Sequence, residues 1–323
     1  MPTRHALLAA AVAFVWGVNF VVIDVGLDTF PPLLFAALRF TLVVFPAIFF
    51  VRRPGVEWKW VVAVGCFLSM GQFGLLFVGM DRGMPAGLSS LVLQLQAAFT
   101  ALLAVALLKE KLSAGQIAGA LVAFGGIAII GAGRAEGVPL GALLLTIGAA
   151  ASWGMGNVCT RKAQAPDAAA LLVWSSLIPP IPLALTGLAV DGPDAMGDAL
   201  TSIDLSGVLA LLYVVIVSTA FGFGVWTWLL KRYPASSVAP FTLLVPVVGL
   251  VSAWIALDEV PNAAEAAGGL VVLGGLGLTV RAMRASGRAA AARPVDAAEA
   301  AVAAGAPEGA GAAEALSAAA PAR

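Results

Sequence analysis

The side chains best suited to bind a solute in this sequence are a few amides and indoles that interrupt long apolar runs. Amide groups and indole N–H groups hydrogen-bond uncharged or zwitterionic molecules, while indole faces cover apolar parts. Polar groups within such runs usually face the protein interior or a water-filled cavity, because hydrocarbon leaves them unsolvated. The candidate substrate-binding residues are Trp16, Asn19, Gln72, Gln94, Gln96, Trp153 and Asn157. The alternative is that they only join helix to helix.

Arg39 is the one basic residue inside an apolar run, and it is the eighth candidate for substrate binding. Its guanidinium could pair with the carboxylate of a bound solute, or with Asp24 near the end of the preceding run. A third interpretation is that the side chain extends outward and anchors its helix at the membrane surface. The sequence leaves all three open.

Two glutamines and a proline raise questions of geometry. Gln94 and Gln96 are two residues apart, which places them about 200° apart around a helix, so at most one points squarely into a central cavity. Pro246 lies inside a later run, where proline removes a backbone hydrogen bond and can kink the helix. We interpret Pro246 as a gating or hinge residue, with a packing role as the alternative.

The residue types that most enzymes and metal sites need are scarce. No apolar run carries a central Asp or Glu, His5 is the only histidine, and Cys66 and Cys159 each lie alone inside a run. The sequence contains no GxSxG, HExxH or Walker motif. We therefore expect no enzymatic activity, no metal and no cofactor. The formal net charge of zero argues against a nucleic-acid partner.

The elements that position the candidates are predicted to be membrane-spanning helices. The chain is 61% hydrophobic and 11% charged, with a mean hydropathy of +0.99, whereas soluble domains carry about 25% charged residues. A helix that crosses a bilayer needs about 20 mostly apolar residues. Ten runs meet this requirement: 6–26, 32–51, 60–80, 85–108, 115–133, 139–160, 169–190, 205–230, 236–257 and 263–280. The predicted fold class is an all-α integral membrane protein.

The loops predict the orientation of these spans. Nearly all Lys and Arg residues outside the runs lie at the two termini and in alternate loops, while the opposite loops hold only Arg82 and Arg134. Cytoplasmic loops carry the excess of positive charge, so both termini are predicted to be cytoplasmic. The segment 285–323 is rich in Ala and poor in large apolar residues, which predicts a disordered cytoplasmic tail.

Short patterns recur between the halves of the chain. The matched residues are Trp16-Gly17 with Trp153-Gly154, Phe73-Gly74 with Phe223-Gly224, and Glu110 with Glu259. Three matches in order predict a duplication, with repeats at 1–133 and 134–284. Because each repeat holds five spans, an odd number, the second copy must be inverted. Inverted repeats are typical of secondary transporters that work by alternating access. The alternative is a bundle with another role, such as a scaffold or sensor.

Several motifs also resemble a known family. They are WGVNFVVIDVGL from Trp16, LRFTLVVFPAIFFV from Leu38, MPAGLSSLVLQLQA from Met84, WSSLIPPIP from Trp174 and VAPFTLLVPVVGL from Val238. The sequence resembles the EamA family of the drug/metabolite transporter superfamily, and the glutamines of SLVLQLQA bring it closer to the amino-acid-exporting branch. Asp24 departs from the lysine that many relatives carry there, which puts a charge-based role at that position in doubt.

This resemblance implies ten helices in two inverted repeats and export of cysteine-pathway metabolites, such as O-acetylserine and cysteine, across the inner membrane. A broader exporter of purines, aromatic amino acids or toxic analogues is the alternative within the same class. The expected partners are a small-molecule substrate, the lipid bilayer and a coupling ion such as the proton. The GxxxG spacing of Gly115 and Gly119 fits either internal helix packing or a homodimer.

Overall fold

A computed structural model of the chain describes residues 1–133 and 138–303. Within these ranges the structure is all-helical, with no strand. Its long helices are α1 (Thr3–Leu27), α2 (Pro32–Ile48), α3 (Trp58–Asp81), α4 (Ala86–Leu108), α5 (Ala114–Gly133), α6 (Leu140–Ala163), α7 (Ala168–Thr201), α8 (Leu205–Arg232), α9 (Ala239–Leu257) and α10 (Ala263–Ala303). A short helix, Ala235–Val238, precedes α9.

Length and composition make most of these helices able to cross a membrane. In the described part of the chain, nine are long and apolar enough, and α2, with 17 residues, is a shorter apolar helix. Seventeen residues are near the lower limit for crossing the hydrocarbon core. Large apolar side chains such as Phe14, Phe50, Leu121 and Ile255 are exposed on the outside of the bundle. Lipid is the solvent that suits such a surface, so the chain is a multi-pass membrane protein.

Two segments differ from the sequence-based expectation. The predicted loop after span 169–190 is largely helical, because the chain turns at Gly192, with a φ of 83°, and a further helical stretch runs to Thr201. Glycine adopts this left-handed conformation without the steric cost that a side chain adds. In addition, α10 continues to Ala303, so the first part of the predicted disordered tail is helical. Arg134 and the rest of that tail, 304–323, lie outside the described residues.

Close packing joins the two halves of the chain. α5 lies against α10, where the carbonyl oxygens of Gly119 and Gly126 approach Gly275 and Gly268. Gly17 on α1 packs in the same way against Val248 on α9. Small residues allow such an approach, and dispersion contacts between helix backbones then replace contacts with lipid. These contacts favour the internal-packing interpretation of the GxxxG spacing.

A second group of contacts joins the C-terminal end of α1 to the beginning of α8. The Thr29 hydroxyl donates to Asp204 Oδ1 at 2.8 Å, and the N–H of Gly207 donates to the same oxygen at 2.8 Å. Asp204 is therefore the N-cap of α8, which satisfies one of the backbone donors left free at a helix start. The cap fixes where α8 begins and ties it to the end of α1.

Candidate functional site

Four of the long helices contain a π-helical or 3₁₀ segment. A π-helical segment occupies Gly65–Gly71 in α3, and a longer one occupies Tyr213–Phe223 in α8. A 3₁₀ segment occupies Leu93–Leu95 in α4, and Ala239–Leu243 opens α9 in the same geometry. Such departures redirect side chains and are frequent at functional sites. Three of the sequence-predicted candidates, Gln72, Gln94 and Gln96, lie in these segments or directly after them.

Gln72 and Gln94 are the most deeply placed of the glutamine candidates. Gln72 is the first residue after the π-helical segment of α3 and is 4% exposed. Gln94 is the central residue of the 3₁₀ segment of α4 and is 6% exposed. A buried amide favours a hydrogen-bond partner because its desolvation costs about 1–3 kcal/mol otherwise. Both side chains can therefore offer hydrogen bonds to a polar solute that enters the bundle.

Gln96 and Asn157 are brought together, but they bind each other. The Asn157 Nδ2 group donates to Gln96 Oε1 at 3.0 Å and to Thr100 Oγ1 at 3.1 Å. The Thr100 hydroxyl donates in turn to the backbone oxygen of Gln96 at 2.6 Å. This network joins α4 to α6, as the helix-to-helix alternative predicted. The Nδ2 donors of Asn157 are engaged, while Gln96 keeps its own amide N–H donors for another partner.

Trp16 and Asn19 occupy one helical turn of α1 but differ in their partners. The Trp16 indole N–H donates to the Ser218 backbone oxygen at 3.0 Å, inside the π-helical segment of α8, so this donor is not free for a solute. The indole ring lies against Phe223 and Trp226. By contrast, Asn19 is 7% exposed and its buried Oδ1 has no hydrogen-bond partner among the residues that the structure describes. An unpaired amide oxygen of this kind is a candidate acceptor for a bound solute.

Trp153 and Pro246 lie against the central packing. Trp153 is half-buried and packs on the main hydrophobic cluster. Pro246 is buried in the first turn of the regular part of α9, directly after the 3₁₀ segment. Because the 3₁₀ segment runs directly into this turn, and the Leu244 N–H bonds back to the Phe241 oxygen, the proline removes one backbone hydrogen bond from a continuing helix. A gating role for Pro246 stays a prediction, and the change of geometry next to it supplies the local irregularity that a hinge needs.

Arg39 is buried, with 1% of its surface exposed. Its Nη2 donates to Thr219 Oγ1 at 3.0 Å, while Nε and Nη1 are buried without partners. The guanidinium carbon lies 3.7 Å from the centroid of the Phe73 ring. The ion pairs of the described residues do not include one between Arg39 and Asp24. The expectations of an Asp24 pair and of an outward-extended anchor are both wrong, since neighbouring helices cover the side chain completely.

The contacts of Arg39 do not offset the free-energy cost of burying its charge. A cation over an aromatic ring gains about 0.5–2 kcal/mol. The desolvation of a buried ion costs several kcal/mol after relaxation. One hydrogen bond to a neutral hydroxyl does not close that gap.

Phe73 and Thr219 were not among the sequence-predicted site residues, although Phe73 follows Gln72 directly and belongs to one of the recurring patterns.

Glutamate side chains join helix ends at the two ends of α4. Glu259, which follows α9, accepts hydrogen bonds from the backbone N–H groups of Ala86 and Gly87 at 2.8 and 2.9 Å. Its counterpart in the first half, Glu110, pairs with Arg161 at the end of α6. The sequence matched the two glutamates to each other but did not predict these contacts. A cavity of about 300 Å³ opens beside Glu259, between the ends of α9 and α4.

The acidic, histidine and cysteine side chains of the described residues form no group of three or more that could hold a metal ion. The buried polar side chains include amides, hydroxyls and one guanidinium, which can bind organic solutes through hydrogen bonds.

Comparison with known proteins identifies a family model and several relatives that match this chain. A model described as the EamA-like transporter family matches residues 3–132 and 140–281. A Salmonella typhimurium protein named "Probable amino-acid metabolite efflux pump" is 43% identical over 290 residues, which cover 88% of this chain and 97% of that protein. An Escherichia coli protein of the same name is 42% identical over the same shares. A solved structure titled "Crystal structure of protein" is 22% identical with a TM-score of 0.60, covers 88% of this chain and 99% of its own, and shares the fold.

Proposed function

Because this chain belongs to the EamA-like transporter family, we propose that it exports small amino-acid-like metabolites, with O-acetylserine and cysteine as the first candidates. The observation that carries the proposal is the set of buried amides on α1 and at the irregular segments of α3 and α4. Gln72, Gln94 and the unpaired oxygen of Asn19 offer donors and acceptors inside an apolar bundle. The names of the Salmonella and Escherichia coli relatives support an amino-acid metabolite as the substrate class.

Transport proceeds by alternating access between two inverted repeats, 1–133 and 134–284. This part of the proposal is supported by features that occur in both halves. π-helical segments lie in α3 and α8, and 3₁₀ segments lie in α4 and α9. The residues Lys109 and Asp258, which follow α4 and α9, both have left-handed backbones, with φ of 57° and 55°. In this arrangement substrate binds near the interface between the repeats, and rocking of one half exposes it to either side.

The direction of transport follows from the proposed orientation. In the proposed orientation the ten predicted spans, with α2 as the short second one, leave both termini on the cytoplasmic side of the inner membrane. The basic residues near the ends of α6 and α8, Arg161, Lys162, Lys231 and Arg232, support this orientation. Glu259 then faces the outer side and Glu110 the cytoplasmic side. The bonds from Glu259 to the beginning of α4 hold the outer ends of the two repeats together.

The decisive experiment is uptake of labelled cysteine and O-acetylserine into inside-out membrane vesicles. Export from the cell corresponds to uptake into such vesicles, so one measurement tests both direction and substrate. We expect uptake above that of vesicles without the protein, and we expect an imposed proton gradient to change its rate. Uptake of purines or aromatic amino acids alone would favour the broader exporter. No flux of any solute under imposed proton, sodium and exchange gradients would favour a scaffold or sensor.

A further inference from the structure

The guanidinium of Arg39 carries more N–H donors than its neighbours have acceptors for. An arginine side chain carries five N–H donors in a planar fork. Among residues 1–133 and 138–303, Nη2 has an acceptor, Thr219 Oγ1, while the buried Nε and Nη1 have none. Buried polar groups are hydrogen-bonded in the large majority of cases, so a partly used buried fork requires a specific explanation.

The neighbours of Arg39 orient the guanidinium without neutralising it. The ring of Phe73 on α3 lies 3.7 Å below the guanidinium carbon and holds its plane. The Thr219 hydroxyl donates its own proton to the Val214 backbone oxygen at 2.7 Å, so its oxygen is free to accept from Arg39. No carboxylate of the described residues forms an ion pair with Arg39. The positive charge thus lacks a counter-ion in this part of the protein.

We propose that Arg39, held by Phe73 and Thr219, is the subsite that binds the carboxylate group of the transported solute. This inference rests on the proposed function and names the part of the solute that the protein recognises. A carboxylate accepts two parallel N–H bonds from a guanidinium, which matches the charge and the donors that are unused here. The transported solutes are therefore free α-amino acids and their derivatives with an unmodified carboxyl group.

The place of the subsite in the fold suits an alternating-access site. Arg39 lies on α2 and Phe73 on α3, whereas Thr219 belongs to the π-helical segment of α8. Phe73 follows Gln72 in the chain, so the ring that holds the guanidinium and a buried amide come from adjacent positions of α3. A solute with its carboxylate at Arg39 contacts both halves of the chain, and its charge is balanced only while all three helices are in place.

The test compares two ligands that differ in the carboxylate alone. L-cysteine and L-cysteinamide share the amine and the thiol, but the amide lacks the negative charge. Binding to the purified full-length chain is measured by the shift of its thermal unfolding midpoint with ligand concentration. We expect cysteine to bind at least about tenfold more tightly than cysteinamide, since loss of one partner from a buried charge pair is strongly unfavourable.

Variants then assign this preference to Arg39. R39Q should bind the two ligands equally weakly, and R39K, which keeps the charge but not the fork, should retain part of the preference. R232Q is the matched control, because Arg232 also lies over an aromatic ring, Trp228, at 4.5 Å but is exposed at the membrane surface. R232Q should keep the wild-type preference.

Several outcomes would contradict the assignment of Arg39 as the carboxylate subsite. These are equal binding of acid and amide by the wild type, binding of neither, or an unchanged preference in R39Q. A less stable R39Q that keeps the preference would assign Arg39 to packing alone. The wild-type comparison needs no variant, so the subsite stays testable if R39Q does not fold. Binding in detergent with a clear acid preference but no flux in vesicles would separate failure of the proposed transport from failure of the subsite.

Discussion

The carboxylate oxygen Oε2 of Glu259 accepts a hydrogen bond from the backbone N–H of Gly87 at 2.9 Å and ties the end of α9 to the beginning of α4. The other oxygen accepts from Ala86 at 2.8 Å. A carboxylate at a helix N-terminus also interacts favourably with the helix dipole. One side chain thus closes one end of the bundle between the two halves of the chain.

Substitution of Glu259 should weaken the contact between the end of α9 and the beginning of α4 and destabilise the protein. Because E259Q replaces a charged acceptor of two N–H groups by an amide with one oxygen, we expect a loss of about 1–3 kcal/mol in the free energy of unfolding. E265Q is the control, since Glu265 lines the same cavity and forms a capping box with Asn262 that glutamine can also make. Thermal unfolding of the purified proteins measures both. Equal losses in the two variants would contradict a special role for Glu259.

Loss of an amide side chain from the bundle interior should stop transport without stopping membrane insertion. We expect Q72L and Q96L to reduce vesicle uptake of labelled cysteine to background at normal protein levels in the membrane. Q96L should also lower the unfolding midpoint, because it removes the acceptor of Asn157. Q116L is the control, because Gln116 binds only Ser113 at the start of α5. Normal uptake by Q72L would disprove the proposed amide site, and normal uptake by Q96L would assign Gln96 to the contact with Asn157 alone.

Neighbouring glycines on α5 should respond in opposite ways. A Cβ at Gly126 would lie 2.6 Å from the Gly268 backbone oxygen, so G126A must push α5 and α10 apart and should cost about 1–3 kcal/mol. A Cβ at Gly125 meets nothing within 4 Å, so G125A should be neutral or stabilising by about 0.4–1 kcal/mol. Unfolding midpoints measure the difference. If G126A were as stable as G125A, the α5–α10 contact would not be the close one described.

The same contrast is expected in the second half. A Cβ at Gly275 would lie 2.6 Å from the Gly119 backbone oxygen, whereas one at Gly274 meets nothing within 4 Å. G275A should therefore destabilise the protein and G274A should not. A matching pattern at both pairs would add to the support for the proposed repeat.

Asp204 should make stability depend on acid pH. Its pKa is held below the ordinary 3.8 first by the Ser206 hydroxyl, then by the Gly207 N–H and the Thr29 hydroxyl. A lowered folded-state pKa means that the stabilisation is complete above the ordinary value and is lost as pH falls through the lowered one. The unfolding midpoint of wild type should exceed that of D204A near neutral pH, and this gap should narrow below pH 3.8. D198A, in the preceding helical stretch, controls for loss of a charge. A gap that does not change with pH would contradict this role.

The locations of the helices and of most candidate residues could be predicted from the sequence alone. Hydrocarbon offers no hydrogen bonds to the backbone, so long apolar runs in such a chain must be helical. Amides within those runs could be identified as candidates because a polar side chain in hydrocarbon costs free energy. Gln72, Gln94 and Asn19 are indeed buried. The recurring pairs Phe73-Gly74 and Phe223-Gly224 lie where the π-helical segments of α3 and α8 end, although the pattern did not predict that geometry.

What each candidate contacts was decided only by the tertiary structure. On a membrane helix the lipid-facing and core-facing surfaces are both apolar, so the sequence pattern does not show which face meets a neighbour. The sequence therefore left three interpretations for Arg39, and packing against Phe73 and Thr219 removed two of them. It likewise left Gln96 and Asn157 as separate candidates, whereas the crossing of α4 and α6 joins them. Composition determines that the chain enters the membrane, while the mutual rotation of its helices determines which polar groups remain free for a solute.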